Sequence, residues 1–188
     1  MPTWVSAAKH YMKPICMIGC LFLVVGTGWA DGGGPTPALK GLGHDGRMAI
    51  SPVDRCPVCA MFPARYQQTA AAMVLKNGHV FYFCSNGCLI RAWLRPGRYL
   101  GKKRSDIHRL IVRDYFSGRP IEAASATWVA GSDVVGPMGP AVIALEDAGH
   151  LAAFKRRHGA KAVFTFDQIN AELWKQINQR GLPATTTE

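Results

Sequence analysis

From Thr69 onward the chain alternates between two hydrophobic periods. "TAAAMVLKNGHVFYF" puts residues of strand character on both sides of Asn77-Gly78, a pair that signals a hairpin turn. Ser85 to Leu94 changes to a helical spacing, with Leu89, Ile90 and Trp93 on one face. Ile107 to Tyr115 returns to alternation and predicts a third strand. The same order then recurs. Ala126 to Gly131 reads as a strand, "VVGPMG" as a Gly-Pro turn and Ala141 to Leu145 as a second strand. Asp147 is placed to cap a helix that stops at His158-Gly159, with basic residues in its last turn. Ala162 to Phe166 predicts a third strand, and Asp167 is placed to cap a final amphipathic helix carrying Ile169, Leu173 and Ile177. The pattern predicts an α+β protein of two tandem ββαβ units, 52–117 and 118–180, joined near "FSGRPIE". A disordered tail is expected over 181–188.

The first thirty residues follow another logic. Lys9 and Lys13 precede an uninterrupted apolar run, Ile15 to Val25, and Gly28-Trp29-Ala30 follows it with small residues where a signal peptidase reads. A membrane span needs about 20 apolar residues, and this run is about half that. The expectation is a signal peptide over 1–30, a mature N-terminus at Asp31 and a periplasmic location, with membrane association as a further expectation. "MIGC" at 17–20 resembles a lipoprotein box, but the apolar run continues past Cys20, so no lipid is expected there. The next stretch, 31–51, is rich in Gly and Pro without a period and reads as a flexible tether.

Charge adds a possible surface role. The formal net charge of +10 falls to +8 when Lys9 and Lys13 leave with the signal. Arg95, Arg98, Lys102, Lys103, Arg104 and Arg109 crowd one segment. Export argues against nucleic acid. The segment 95–109 is therefore either a solvated loop or a contact for a membrane surface or partner.

The cysteines carry the candidate chemistry. Cys56, Cys59, Cys84 and Cys88 remain once Cys16 and Cys20 leave with the signal. "RCPVCAMF" could hold a redox pair, since a CxxC disulfide is a strained and reactive ring. Four thiolates in a CxxC…CxxxC pattern also suit a closed tetrahedral Zn(II) site. "YFCSNGC" at a helix start has the form of a treble-clef knuckle and resembles the second half of a TRASH-type metal-binding motif; on that reading the chain is an exported zinc-binding interaction module. Met61 follows the first pair, and Met138 sits in the "GPMG" turn, where a thioether is hard to bury. Met usually fills cores, but thiolates and thioethers together select Cu(I). His44, His79, His108, His150 and His158 have ordinary placements, the last near a helix C-terminus. The sequence has no Ser-His-Asp pattern, no phosphate loop and no carboxylate pair of clear role, so an enzyme is not expected. Copper, zinc and redox readings all stand at this point.

"RCPVCAMFPARY", "NGHVFYF", "VRDYFSGRPIEAASATWVAGSDVVGPMGP" and "DAGHLAAFKRRHGAKAVFTFDQI" resemble the NosL family, copper chaperones of nitrous oxide reductase assembly. The likeness runs from about Arg55 to Leu173 and is most specific in CPVC-x-M and GSDVVGPMG. It implies a periplasmic Cu(I) carrier, not an enzyme, with two ββαβ units. Such a carrier would serve membrane-associated copper maturation machinery and nitrous oxide reductase. Carried over by position, Cys56 or Cys59 would supply a thiolate, and Met61 and Met138 thioethers. Family members are typically lipoproteins, a departure from the expectation at Cys20. The pair Cys84 and Cys88 goes beyond the minimal chaperone site. It either extends that site to four thiolates or forms a separate zinc knuckle. The resemblance ranks Cu(I) first, Zn(II) second and redox chemistry third.

Overall fold

The Asn77-Gly78 turn joins β1 (Ala71–Leu75) to β2 (Val80–Phe83) in an antiparallel pair, with Ala71 opposite Phe83 and Val74 opposite Val80. Gly78 has φ +84°, where an L side chain would be strained, and the Asn77 Oδ1 accepts the His79 N–H at 3.1 Å. The structure, a computed structural model, describes Met1 and residues 34–178. The expected signal, its cleavage point, the lipid-box question at Cys20 and the tail over 181–188 lie outside the described residues.

After β2 come α1 (Asn86–Leu94), α2 (Pro96–Leu100), β3 (Ile107–Arg113) and β4 (Pro120–Glu122). β3 pairs with β1, giving an antiparallel sheet of order β2-β1-β3-β4. The second half runs β5 (Thr127–Ala130), a small hairpin of β6 (Val135–Gly136) and β7 (Gly139–Pro140), β8 (Ile143–Leu145), α3 (Ala148–His158), β9 (Ala162–Phe164) and α4 (Ala171–Asn178). Its sheet has the order β8-β5-β9. In both sheets the first strand is central and its second and third partners flank it, so the same strand order is used twice. The architecture is α+β.

Alternation along the strands decides what each sheet face covers. Ala71, Met73, Leu75, Phe81, Phe83, Leu110 and Val112 point into the main core. That core also takes Leu89 and Ile90 of α1 and, from the second half, Trp128, Ala144, Phe164 and Phe166. The two sheets therefore share one apolar interior. Trp128 is fully buried and its Nε1–H donates to the Ala123 carbonyl at 3.0 Å, which satisfies the indole in an apolar place. The other face of the second sheet packs Val129, Ile143 and Leu145 on Phe154 of α3.

The stretch expected to be a flexible tether needs correction. From Ala38 it lies on the outer face of the first sheet. Ala38, Leu42, Met48 and Ile50 cover Ala72, Val80, Tyr82 and Ile111. The Ala38 N–H donates to Val80 O at 2.8 Å, and the buried Tyr82 hydroxyl donates to Gly41 O at 2.8 Å and accepts the Ala49 N–H at 3.0 Å. Gly and Pro set the local turns, but the scattered apolar residues decide the outcome because they have a face to cover. The cap of α4 also differs. Asp167 falls in a 3-10 turn, Phe166–Gln168, and the Asn170 Oδ1 accepts the N–H groups of Glu172 and Leu173 at 3.0 and 2.9 Å. Asp147 caps α3 as expected, accepting the His150 N–H at 2.8 Å.

Asp114 ties the two halves together. It is buried at the end of β3. Its Oδ2 accepts from the Ser117 N–H at 2.7 Å and the Ser117 hydroxyl at 2.9 Å. Its Oδ1 accepts the Glu146 N–H at 2.8 Å and lies 2.9 Å from the His150 Nδ1. No helix among the described residues is long and apolar enough to cross a membrane.

Candidate metal centre

Two local structures bring the four cysteines together. The first is a tight loop over Arg55 to Met61. The Ala60 N–H donates to Cys56 O and the Cys56 N–H to Met61 O, both at 2.8 Å. Closing that loop puts Ala60 at φ +61°, the left-handed region, and it is the non-glycine residue among those described with a positive φ. Arg55 braces the loop, with its Nη1 donating to Ala60 O at 3.1 Å and its guanidinium stacked 3.6 Å from the Phe62 ring centroid.

The second structure is the junction of β2 and α1. Cys84 ends the sheet edge and its carbonyl accepts the Thr69 hydroxyl at 2.8 Å. Ser85 caps α1 by accepting the Cys88 N–H at 3.3 Å. That cap sets Cys88 in the first helical turn, with its Sγ 3.7 Å from the Cys84 Sγ. Cys88 therefore lies at the N-terminal, positive end of the α1 dipole.

Cys59 brings the loop to the junction. Its Sγ lies 3.4 Å from Cys84 and 3.8 Å from Cys88, and all four sulfurs lie within 4.8 Å of one another. These are free thiols, far outside the 2.05 Å or so of a disulfide bond. Cys56, Cys84 and Cys88 are buried and Cys59 is half-buried. Hydrogen bonds from the Cys84 and Cys88 thiols hold the Cys56 thiol well below its ordinary range, against the opposing effect of burial, with help from the peptide N–H groups of Cys84 and Val58. The same sharing with Cys56, and then burial, push Cys84 and Cys88 up. Without a cation the cluster thus favours one thiolate and resists more.

The sulfur spacing fits a metal. A tetrahedron with metal–sulfur bonds of about 2.3 Å has edges of about 3.8 Å. The separations of 3.4, 3.7 and 3.8 Å fall at that edge length or slightly inside it. The four cysteines, which the sequence leaves as one shared site or as two separate ones, are gathered in one place.

The two methionines flank this group on different sides, Met61 through its carbonyl, which accepts the Cys56 N–H, and Met138 through a cleft shared with Cys88. Met61 is half-buried against the main core. Met138 sits at the tip of the β6–β7 hairpin, 42 % exposed. It lines a cleft of about 250 Å³ together with Asn86, Cys88 and Trp174. Asn86 holds this cleft's far wall, donating from Nδ2 to Val142 O at 2.9 Å. Cys56 and Cys59 line a different surface cleft beside Pro57 and Val58. The cysteine corner and the "GPMG" turn therefore meet across the first cleft through Cys88, while the CxxC pair opens elsewhere. A second polar cluster, Asp114, Glu146 and His150, escaped sequence reasoning. The N–H groups of Glu146 and Ser117, the Ser117 hydroxyl and His150 engage both oxygens of Asp114, so the cluster is explained as a brace. The sequence shows Asp114 within "VRDY" but not its burial, so no pattern announced the cluster.

Fold and centre together define the class: an α+β protein with repeated strand order and a closed four-thiol candidate metal centre. The NosL family model matches residues 47–174, and the chain belongs to that family. The copper-binding lipoprotein NosL of Stutzerimonas stutzeri is 27 % identical over 132 residues, covering 69 % of this chain and 68 % of the relative. The crystal structure of the copper chaperone NosL from Shewanella denitrificans is similar in fold, with a TM-score of 0.55 at 23 % identity, covering 66 % of this chain and 96 % of that one.

Proposed function

We propose that this protein is a periplasmic Cu(I) carrier whose cargo site is the sulfur centre of Cys56, Cys59, Cys84 and Cys88. The gathering of four free thiols within 4.8 Å carries the reading, because soft thiolates select soft cations. The copper-binding and copper-chaperone names of its relatives support it. The work is binding and release, with no covalent change to a substrate. Cys59 is the half-exposed member and the sulfur an acceptor reaches first. Met138 is the thioether at an exposed, turn-borne position that can receive the ion on its way out, and Met61 is a supporting thioether beside the first pair. Export fits the lipoprotein described for one relative. Membrane-associated copper maturation machinery and nitrous oxide reductase are the proposed recipients. The exposed Arg95, Arg98, Lys103 and Arg104 offer a contact for an anionic membrane surface on the way.

A redox role has less support. Redox CxxC pairs place the attacking thiol at a helix N-terminus. Here the pair lies in a loop, and Cys88 takes the helix start.

Competition for Cu(I) against a chromophoric chelator tests the reading. Cys59→Ser is expected to weaken Cu(I) binding by about a hundred-fold or more, since a lost thiolate removes both a bond and a charge. Met138→Ala is expected to weaken it by about ten-fold or less and to slow transfer to an acceptor. No Cu(I) binding by the intact reduced chain would end the proposal.

A further inference from the structure

A centre built to release copper would be expected to be open, and this one is nearly closed. Cys84 is 0 % exposed, and Cys56 and Cys88 are 1 % exposed. All four sulfurs lie within 4.8 Å of one another, and the separations of 3.4, 3.7 and 3.8 Å among Cys59, Cys84 and Cys88 leave room for Cys56 to complete four-coordination. The backbone is set for it: the left-handed Ala60 closes the loop that carries Cys56 and Cys59, its N–H donating to Cys56 O at 2.8 Å, and Ser85 fixes Cys88 by accepting its N–H at 3.3 Å. Charge points the same way. A divalent ion neutralises two of the four thiolates, three of them buried, and a monovalent ion only one, and buried net charge is costly. Exposure to an oxidising compartment adds a need. Four thiols this close would pair into disulfides unless something occupied them.

We propose that the resting protein holds one Zn(II) on Cys56, Cys59, Cys84 and Cys88, and that Cu(I) loads by displacing it. The proposal rests on the copper reading above and names the state from which loading begins. Zn(II) keeps the thiolates reduced and the loop docked on the helix start while no cargo is present. Cu(I) reaches Cys59 first, through the cleft beside Pro57 and Val58. Cu–S bonds form to two or three of the thiolates as the Zn–S bonds break. Zn(II) leaves as the hydrated ion. Each thiolate left without a metal takes a proton from water, and no electron changes hands.

The test uses the full chain, reduced and free of oxygen, loaded with Zn(II) alone. Bound zinc is counted with a zinc-specific dye, and Cu(I) is then added from a weak Cu(I) chelator. The expected result is one Zn(II) per chain, released by the first equivalents of Cu(I). The zinc form should keep all four thiols titratable after exposure to air, whereas the metal-free form loses at least two. Cys59→Ser, whose side chain is half-exposed and whose loss leaves the buried sulfurs in place, should retain Zn(II) at least about ten-fold less tightly. Failure of the intact chain to bind Zn(II), or equal retention by Cys59→Ser, overturns the proposal. Zinc that stays while Cu(I) binds beside it also overturns the exchange but leaves the copper reading standing. Zinc that stays while Cu(I) fails to bind overturns both.

Discussion

Ala60 shows how one backbone angle holds the centre. The loop that presents Cys56 and Cys59 requires φ +61° at this position. Left-handed geometry costs an L-residue about 1–2 kcal/mol. Glycine escapes that cost but loses about 0.5–1 kcal/mol through extra freedom in the unfolded chain. Ala60→Gly is therefore expected to be neutral or stabilising by up to about 1 kcal/mol. A β-branched side chain adds strain in the same region. Ala60→Val should destabilise by more than about 1 kcal/mol and loosen metal binding with it. Urea unfolding of the metal-free and metal-loaded forms of both variants checks this; an unchanged midpoint for the valine variant would show that the loop relaxes freely. The cysteine set itself was legible from spacing, because ligand pairs three and four apart leave a pattern in the sequence. Ala60 was not, since nothing about an alanine announces a left-handed angle. That Met138 and the CxxC pair line different clefts was equally hidden, because it depends on how distant segments pack.

At the scale of elements, the strand, strand, helix, strand succession in each half was legible from periodicity, and so were the Asn77-Gly78 turn and the Asp147 cap; β4, which falls beyond the expected boundary at 117 and yet completes the first sheet, was not. The docking of residues 38–50 on the first sheet was not. Its apolar residues follow no period because they match a surface instead of forming an element. The Asp114 brace was hidden for a related reason: it joins β3 to the start of α3 across distant sequence. Burial pushes its carboxyl up, but the N–H groups of Ser117 and Glu146, the Ser117 hydroxyl and His150 outweigh it and hold it below the ordinary carboxylate range. His150 is raised by its bond to Asp114. The signs define a window. The Asp114 contribution is present above the ordinary carboxylate pKa of about 4 and is lost as pH falls through its lower folded value. The His150 contribution is full below about 6.5 and is lost as pH rises through its higher folded value. Melting temperature is therefore expected to decline above about pH 6.5, and His150→Gln should remove that step. An identical pH profile for the variant would contradict the brace. Asp114→Ala strips several hydrogen bonds from buried donors and should cost about 3 kcal/mol or more.

Seen whole, the molecule uses one apolar interior for both sheets, with Cys56, Cys84 and Cys88 at its edge. That placement ties the candidate metal centre to the fold's stability. Trp128→Ala, in the middle of the shared interior, should cost about 3–5 kcal/mol and unfold both halves in one transition. Two separate transitions would mean that the halves are independent. The central claim is that Cu(I) rides on this sulfur centre. X-ray absorption at the copper edge of the Cu(I)-loaded, reduced chain tests it most directly. The expected first shell is sulfur alone, clearly depleted by Cys59→Ser and much less altered by Met138→Ala. A first shell of nitrogen or oxygen, or a sulfur shell indifferent to Cys59→Ser, would contradict it.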